Sequence, residues 1–184
     1  MQALYESYPE EVEHGGRRYA LDLDFRNVLR VFDLPGGGWT EREQTELGVK
    51  LLLRDPGECP EEFPEQAALL HAIFALFPES ESDGEKAIDL KQDAGMIRSA
   101  FFRIGVDLTR DRLHFFRFME LLGDLPEDTA LMRTVEIRKR PMPKPNKHNA
   151  EEIAALKRAK ARVAIKMPEE EARRRFAASL KKSW

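Results

Sequence analysis

The sequence reads as a mainly α protein, a helical domain with a short N-terminal β-hairpin and a basic two-helix C-terminal extension. Three observations lead there. Apolar residues recur at helical spacing along most of the chain, as in Phe25, Val28, Leu29 and Phe32. The period drops to two only in "EEVEHGGRRYALDL", around Gly15 and Gly16. Charge is also segregated: residues 133–184 carry 16 Lys/Arg and 6 Asp/Glu, a difference of +10, and the residues before them carry 14 and 27, a difference of −13. An acidic body with a basic tail implies an anionic partner for the tail or a fold-back onto the body.

The chain has 184 residues, of which 42% are hydrophobic and 34% charged, which suits one globular domain and an extension. The expected organisation is an acidic hairpin-plus-helix domain over 1–138, a Pro/Lys-rich linker over 139–149 and basic helices over 150–184. The longest apolar run, "AALLHAIFALF", is too short to span a bilayer. The first residues lack the basic-then-apolar order of a signal peptide.

Gly-Gly permits the positive φ angles of a two-residue hairpin turn, with Val12 on one strand and Tyr19, Leu21 and Leu23 on the other. Two strands are marginal alone, so helices must support them. Asp24 is placed to cap the first helix, which Pro35 and Gly36 to Gly38 end. Thr40 and Glu43 have capping-box spacing for a second helix to about Arg54. Pro64 opens a third, whose face is Leu69, Leu70, Ile73, Phe74 and Phe77. The polar stretch "PESESDGEK" separates it from a fourth helix over 89–105, with Met96, Ile97, Ala100, Phe101 and Ile104 on one stripe. A fifth helix, capped by Asp107 or Thr109 and stopped by Gly123 and Pro126, carries Phe115, Phe116, Phe118, Met119, Leu121 and Leu122. That is more apolar surface than the stripe of a surface helix requires, and it predicts a central helix or one that grips a partner. Asn149 and Glu152 are spaced to cap the first basic helix, whose stripe of Ile153, Leu156, Val163 and Met167 is thin. Pro168 opens the last helix, with Ala172, Phe176 and Leu180 on its stripe.

No catalytic constellation is legible. His14, His71, His114 and His148 have no partner at metal-ligand spacing, the single Cys59 excludes a CxxC site, and no nucleophile elbow, phosphate loop or dinucleotide fingerprint occurs. The carboxylates cluster in runs typical of solvated faces and helix starts. The expectation is a protein that is not an enzyme and needs neither cofactor nor metal. The basic segment admits phosphate contacts, so a nucleic-acid-binding accessory protein is the alternative reading. Aromatics able to stack on bases are sparse there, only Phe176 and Trp184, which disfavours it.

The segments "YALDLDFR", "QDAGMIRSAFF", "GVDLT" and "LHFFRFMELLGDLPEDT" occur in this order. In them, and over most of residues 5–175, the chain resembles the small tail-module proteins of long-tailed bacteriophages and prophages, encoded near the tape measure and regarded as tail-assembly-chaperone-like. The resemblance implies a non-catalytic morphogenesis factor of the host bacterial cytoplasm, absent from the finished virion. Its partners would be the tape-measure protein and the tail tube protein, with self-association possible and neither nucleic acid nor membrane involved. Phe102, Phe115, Phe118 and Phe176 are the client-binding candidates, the first three because they lie off the cleanest core stripes. Arg138, Lys139, Arg140, Lys157, Arg158, Arg173 and Arg174 are the basic candidates for contact with a partner.

Overall fold

Gly15 and Gly16 both adopt positive φ, 59° and 75°, and close a two-residue hairpin between β1 (Glu11–His14) and β2 (Arg17–Ala20). The computed structural model describes residues 7–78 and 87–166. Among them are this antiparallel pair and seven α-helices, so the protein is mainly α. None of these helices is long and apolar enough to cross a membrane. The chain forms two compact units, unit 1 over 1–82 and 105–124, and unit 2 over 83–104 and 125–184.

In unit 1, β2 runs on as an extended segment to Asp24, just before α1. Leu21 N–H donates to the Glu10 carbonyl at 2.7 Å, Asp22 N–H donates to Leu52, and Arg54 N–H donates to Ala20, each of the last two at 2.8 Å. Further along, Phe25 N–H donates to Leu113 at 2.9 Å and Phe115 N–H to Leu23 at 2.7 Å. One strand therefore gathers chain from three distant places, while Leu21, Leu23 and Phe25 bury their side chains.

Asp24 then caps α1 (Phe25–Asp33), accepting from Arg26 N–H and holding the Arg26 guanidinium at 2.8 Å and 2.9 Å. Burial pushes the Asp24 carboxyl up, but its bonds to Arg26 outweigh this and leave its pKa lowered. A 3-10 turn over Leu34–Gly36 ends α1. The expected capping box forms at Thr40 and Glu43 and starts α2 (Glu41–Leu52). The third helix, α3 (Phe63–Phe74), stops earlier than its periodicity suggests, so Phe77 lies in a turn beyond it. Gly48 is buried where α2 meets its neighbours: a Cβ there would lie 3.4 Å from Leu70 and 3.5 Å from Val31.

The helix that follows residue 105 departs from expectation. Asp107 forms a local turn with Thr109 and Asp111 and caps nothing, and α5 (Phe115–Gly123) begins only after Leu113–Phe115 has paired with the extended segment. Its cap is His114, whose Nδ1 accepts from Phe116 N–H at 3.2 Å while Nε2 lies 3.3 Å from the Pro9 carbonyl. This arrangement requires a neutral ring with its proton on Nε2. The imidazole stacks on Tyr8 at 4.8 Å, and the Tyr8 hydroxyl donates to Glu120 at 2.6 Å. From here α5 stacks Phe118 on Phe25 at 4.8 Å and sets Phe115 against Phe32 and Phe77.

Unit 2 contains α4 (Ala94–Arg103), α6 (Ala130–Lys139) and α7 (Ala150–Val163). Ile97, Ala100 and Phe101 of α4 and Leu131 and Val135 of α6 are buried. The fourth helix starts later than expected because residues 89–93 form a turn, in which the Asp89 and Lys91 backbone groups pair with Asp93 and Asp89 side chains. Helix α6, capped by Thr129, has no counterpart among the helices expected from the sequence. Asn149 does occupy the cap position of α7, but its side chain bonds Asn146 and Lys144 within the preceding loop, so no capping box forms. The stretch expected to break after α3 and the last expected helix fall largely outside the described residues.

Two outcomes follow from unit 1. Burial lowers the His114 pKa from its ordinary 6.5, with the Pro9 bond and Glu10 opposing the shift. A histidine held neutral in the fold binds fewer protons than in the unfolded chain, so its contribution is complete above 6.5 and is lost as pH falls through the depressed folded value. Urea midpoints should fall between about pH 7 and about pH 5, and His114→Asn, which retains a capping acceptor, should flatten that slope. In the same assay Phe115→Ala should cost about 3–5 kcal/mol, whereas Phe32→Ala, with half its surface already in solvent, should cost about 1 kcal/mol.

Candidate docking cleft

The aromatic layer of unit 1 does not close over itself. Phe32 lies at the C-terminal end of α1, just before Pro35 and the glycines stop that helix, and it is 49% exposed. One side of its ring rests on Phe74 at 5.9 Å, Phe77 at 6.5 Å and Phe115 at 6.0 Å. Beside it opens a cleft of about 390 Å³ between α1, the 3-10 turn, α2 and α3. Val31, Phe32, Leu34 and Pro35 form one wall, Leu70 and Phe74 another, and Glu41, Gln44 and Thr45 the third. Trp39, 48% exposed, lies in the loop before α2, and its carbonyl accepts from Gln44 Nε2 at 2.7 Å, which ties that loop to the third wall. The result is a shallow apolar groove edged by the half-exposed Phe32 ring and one carboxylate. Such a site suits an apolar side-chain stripe on another polypeptide.

The structure corrects the placement of several residues expected at an interface. Phe115 and Phe118 are 8% and 2% exposed, because the pairing of Leu113–Phe115 with the extended segment turns α5 inward. Phe115 instead backs Phe32 from inside. Phe102 is exposed, at 71%, on the face of α4 that also shows Arg98 and Ser99, and it belongs to unit 2. Phe176, Arg173 and Arg174 lie outside the described residues.

Among the basic candidates, Arg138 is committed within unit 2. Its guanidinium, 11% exposed, donates to both Asp93 oxygens at 2.6 Å and 2.9 Å, to the Ala87 carbonyl at 2.9 Å and to the Val163 carbonyl at 2.6 Å. Four of its five N–H donors are bonded within its own unit, which holds the side chain there. Burial raises the Asp93 carboxyl, but Arg138 and the Asp89 N–H overcome this and leave its pKa lowered. Lys139, Arg140, Lys157 and Arg158 are exposed. Lys160, which interrupts the α7 stripe, donates to the Arg138 carbonyl at 2.7 Å.

Sequence reasoning missed the cleft itself. Phe32 falls on the i+7 position of the α1 stripe and so reads as core. The available signal was its place one turn before a helix stop, where a stripe can outrun its covering partners. Cys59 is half-buried, and burial together with Glu46 raises its thiol pKa against the opposing Lys50. Among the described residues no group of three or more His, Cys, Asp or Glu could hold a metal ion.

The family model described as Bacteriophage Gp15 protein matches residues 4–165. No curated protein and no solved structure matches the chain. A match over residues 4–165 takes in most of both compact units, with the cleft and the Asp93–Arg138 pair, and the chain belongs to the bacteriophage Gp15 protein family.

Proposed function

We propose that this phage protein is a non-catalytic tail morphogenesis factor, an assembly chaperone that holds the tape-measure protein in the host cytoplasm while tail-tube subunits polymerise around it. The observation that carries this reading is the cleft beside Phe32: an apolar groove with a half-exposed aromatic at its edge on a bacteriophage protein. A long helical client exposes apolar stripes before it is enclosed, and a helix-in-groove contact would cover them reversibly. An aromatic anchor such as Phe32 gives much contact area for little side-chain entropy, as at interface hot spots.

Co-expression with the tape-measure protein of the same phage tests the reading. The wild-type chain should raise the soluble fraction of the tape measure and co-purify with it. Phe32→Asp should lose both effects while its circular dichroism stays native. Equal tape-measure solubility with and without the chain would contradict the proposal.

A further inference from the structure

The cleft carries a charge signature as well as a shape. Unit 1 contains 21 Asp/Glu and 10 Lys/Arg, a difference of −11, and unit 2 contains 12 and 20, a difference of +8. The cleft is thus built in the acidic half of the molecule. Glu41, exposed in the first turn of α2, is the charged residue of its lining. Glu43 follows in the same turn, its carboxylate held by the Thr40 N–H and hydroxyl. The nearby cations Arg30 and Arg42 are exposed but do not line the cleft.

We infer that the segment taken by the cleft is an amphipathic helix whose apolar stripe is flanked by Lys or Arg. This rests on the client-binding reading above and narrows it to one charge class. The walls formed by Val31, Phe32, Leu70 and Phe74 accept apolar side chains one turn apart, and a cation beside that stripe meets Glu41. The excess negative charge of unit 1 steers such a helix inward and repels an acid-flanked helix with the same stripe. The apolar contact supplies most of the affinity, and the flanking charge supplies the choice of segment.

Three labelled helical peptides test the inference, identical in their Leu/Phe stripe and flanked by Lys, Gln or Glu. Binding to the full-length wild-type chain is read by fluorescence anisotropy. The Lys peptide should bind tightest and the Glu peptide weakest, about tenfold or more apart at low ionic strength, with the gap closing at high salt. Glu41→Lys should shrink or invert that order, and Phe32→Asp should abolish binding of all three. Equal affinities for the Lys and Glu peptides, all lost in Phe32→Asp, would overturn the charge inference and leave the cleft reading standing. Binding indifferent to Phe32→Asp would overturn both. Sedimentation of the chain alone tests a second copy as occupant: self-association removed by Phe32→Asp would assign the cleft to it and overturn the proposal.

Discussion

Everything in unit 1 hangs on one stretch of backbone, residues 20–25, extended to Asp24 and entering α1 at Phe25. Residues 20 and 22 direct their peptide groups to the chain at 52–54, while 21 joins Glu10 and 23 and 25 join 113–115. Each such bond contributes about 1 kcal/mol net, but leaving any of these partly buried groups unpaired costs more than that. The stretch must therefore find partners on both edges, and only chain distant in sequence can supply them. Meeting that demand fixes where α2 ends and where α5 begins. It also aims α5 so that Phe118 covers Phe25 and Phe115 reaches behind Phe32. The partly open aromatic edge is thus a consequence of backbone pairing at the other end of α1.

Unit 2 is organised on a different principle. Its apolar core is small, and one ion pair, Asp93 with Arg138, links α4 to α6 and extends to Ala87 and Val163. No residue of α7 is buried. That helix is held by Arg138 donating to Val163, Lys160 donating to the Arg138 carbonyl, and half-buried Ile153, Leu156 and Val163. Just past its end, Gln92 and Lys166 exchange two hydrogen bonds, at 2.6 Å and 2.9 Å. Polar attachment of this kind specifies position more than it adds stability, because each ion must first give up its water.

Local chemistry in the sequence explains which features were legible. Gly15-Gly16, Asp24 and the Thr40/Glu43 box each act within four residues, and each does in the structure what its chemistry dictates. The start of α5 was misread because tertiary pairing overrides a nearby Asp or Thr cap: residues 113–115 are drawn into extended backbone, and histidine, a weaker cap signal, is left at the right place. Helix α6 escaped notice because Arg138 takes the place one turn beyond Val135 on the stripe that Leu131 and Val135 begin. Phe115 and Phe118 are buried and Phe32 is half-exposed, against expectation, for one reason. Periodicity gives the face of a helix, and burial depends on what another element places over that face.

The functional account links these facts: closure around residues 20–25 leaves the Phe32 edge uncovered on the acidic half of a bacteriophage protein, where a basic-flanked helical client would complete it. Native-state amide hydrogen exchange on the full chain tests the first link most directly. The Asp22, Phe25, Arg54 and Phe115 amides should exchange together, among the slowest in unit 1 and far more slowly than the Gly15-Gly16 turn. Phe25 and Phe115 amides exchanging as fast as that turn would show that the pairing is not the constraint that builds the unit.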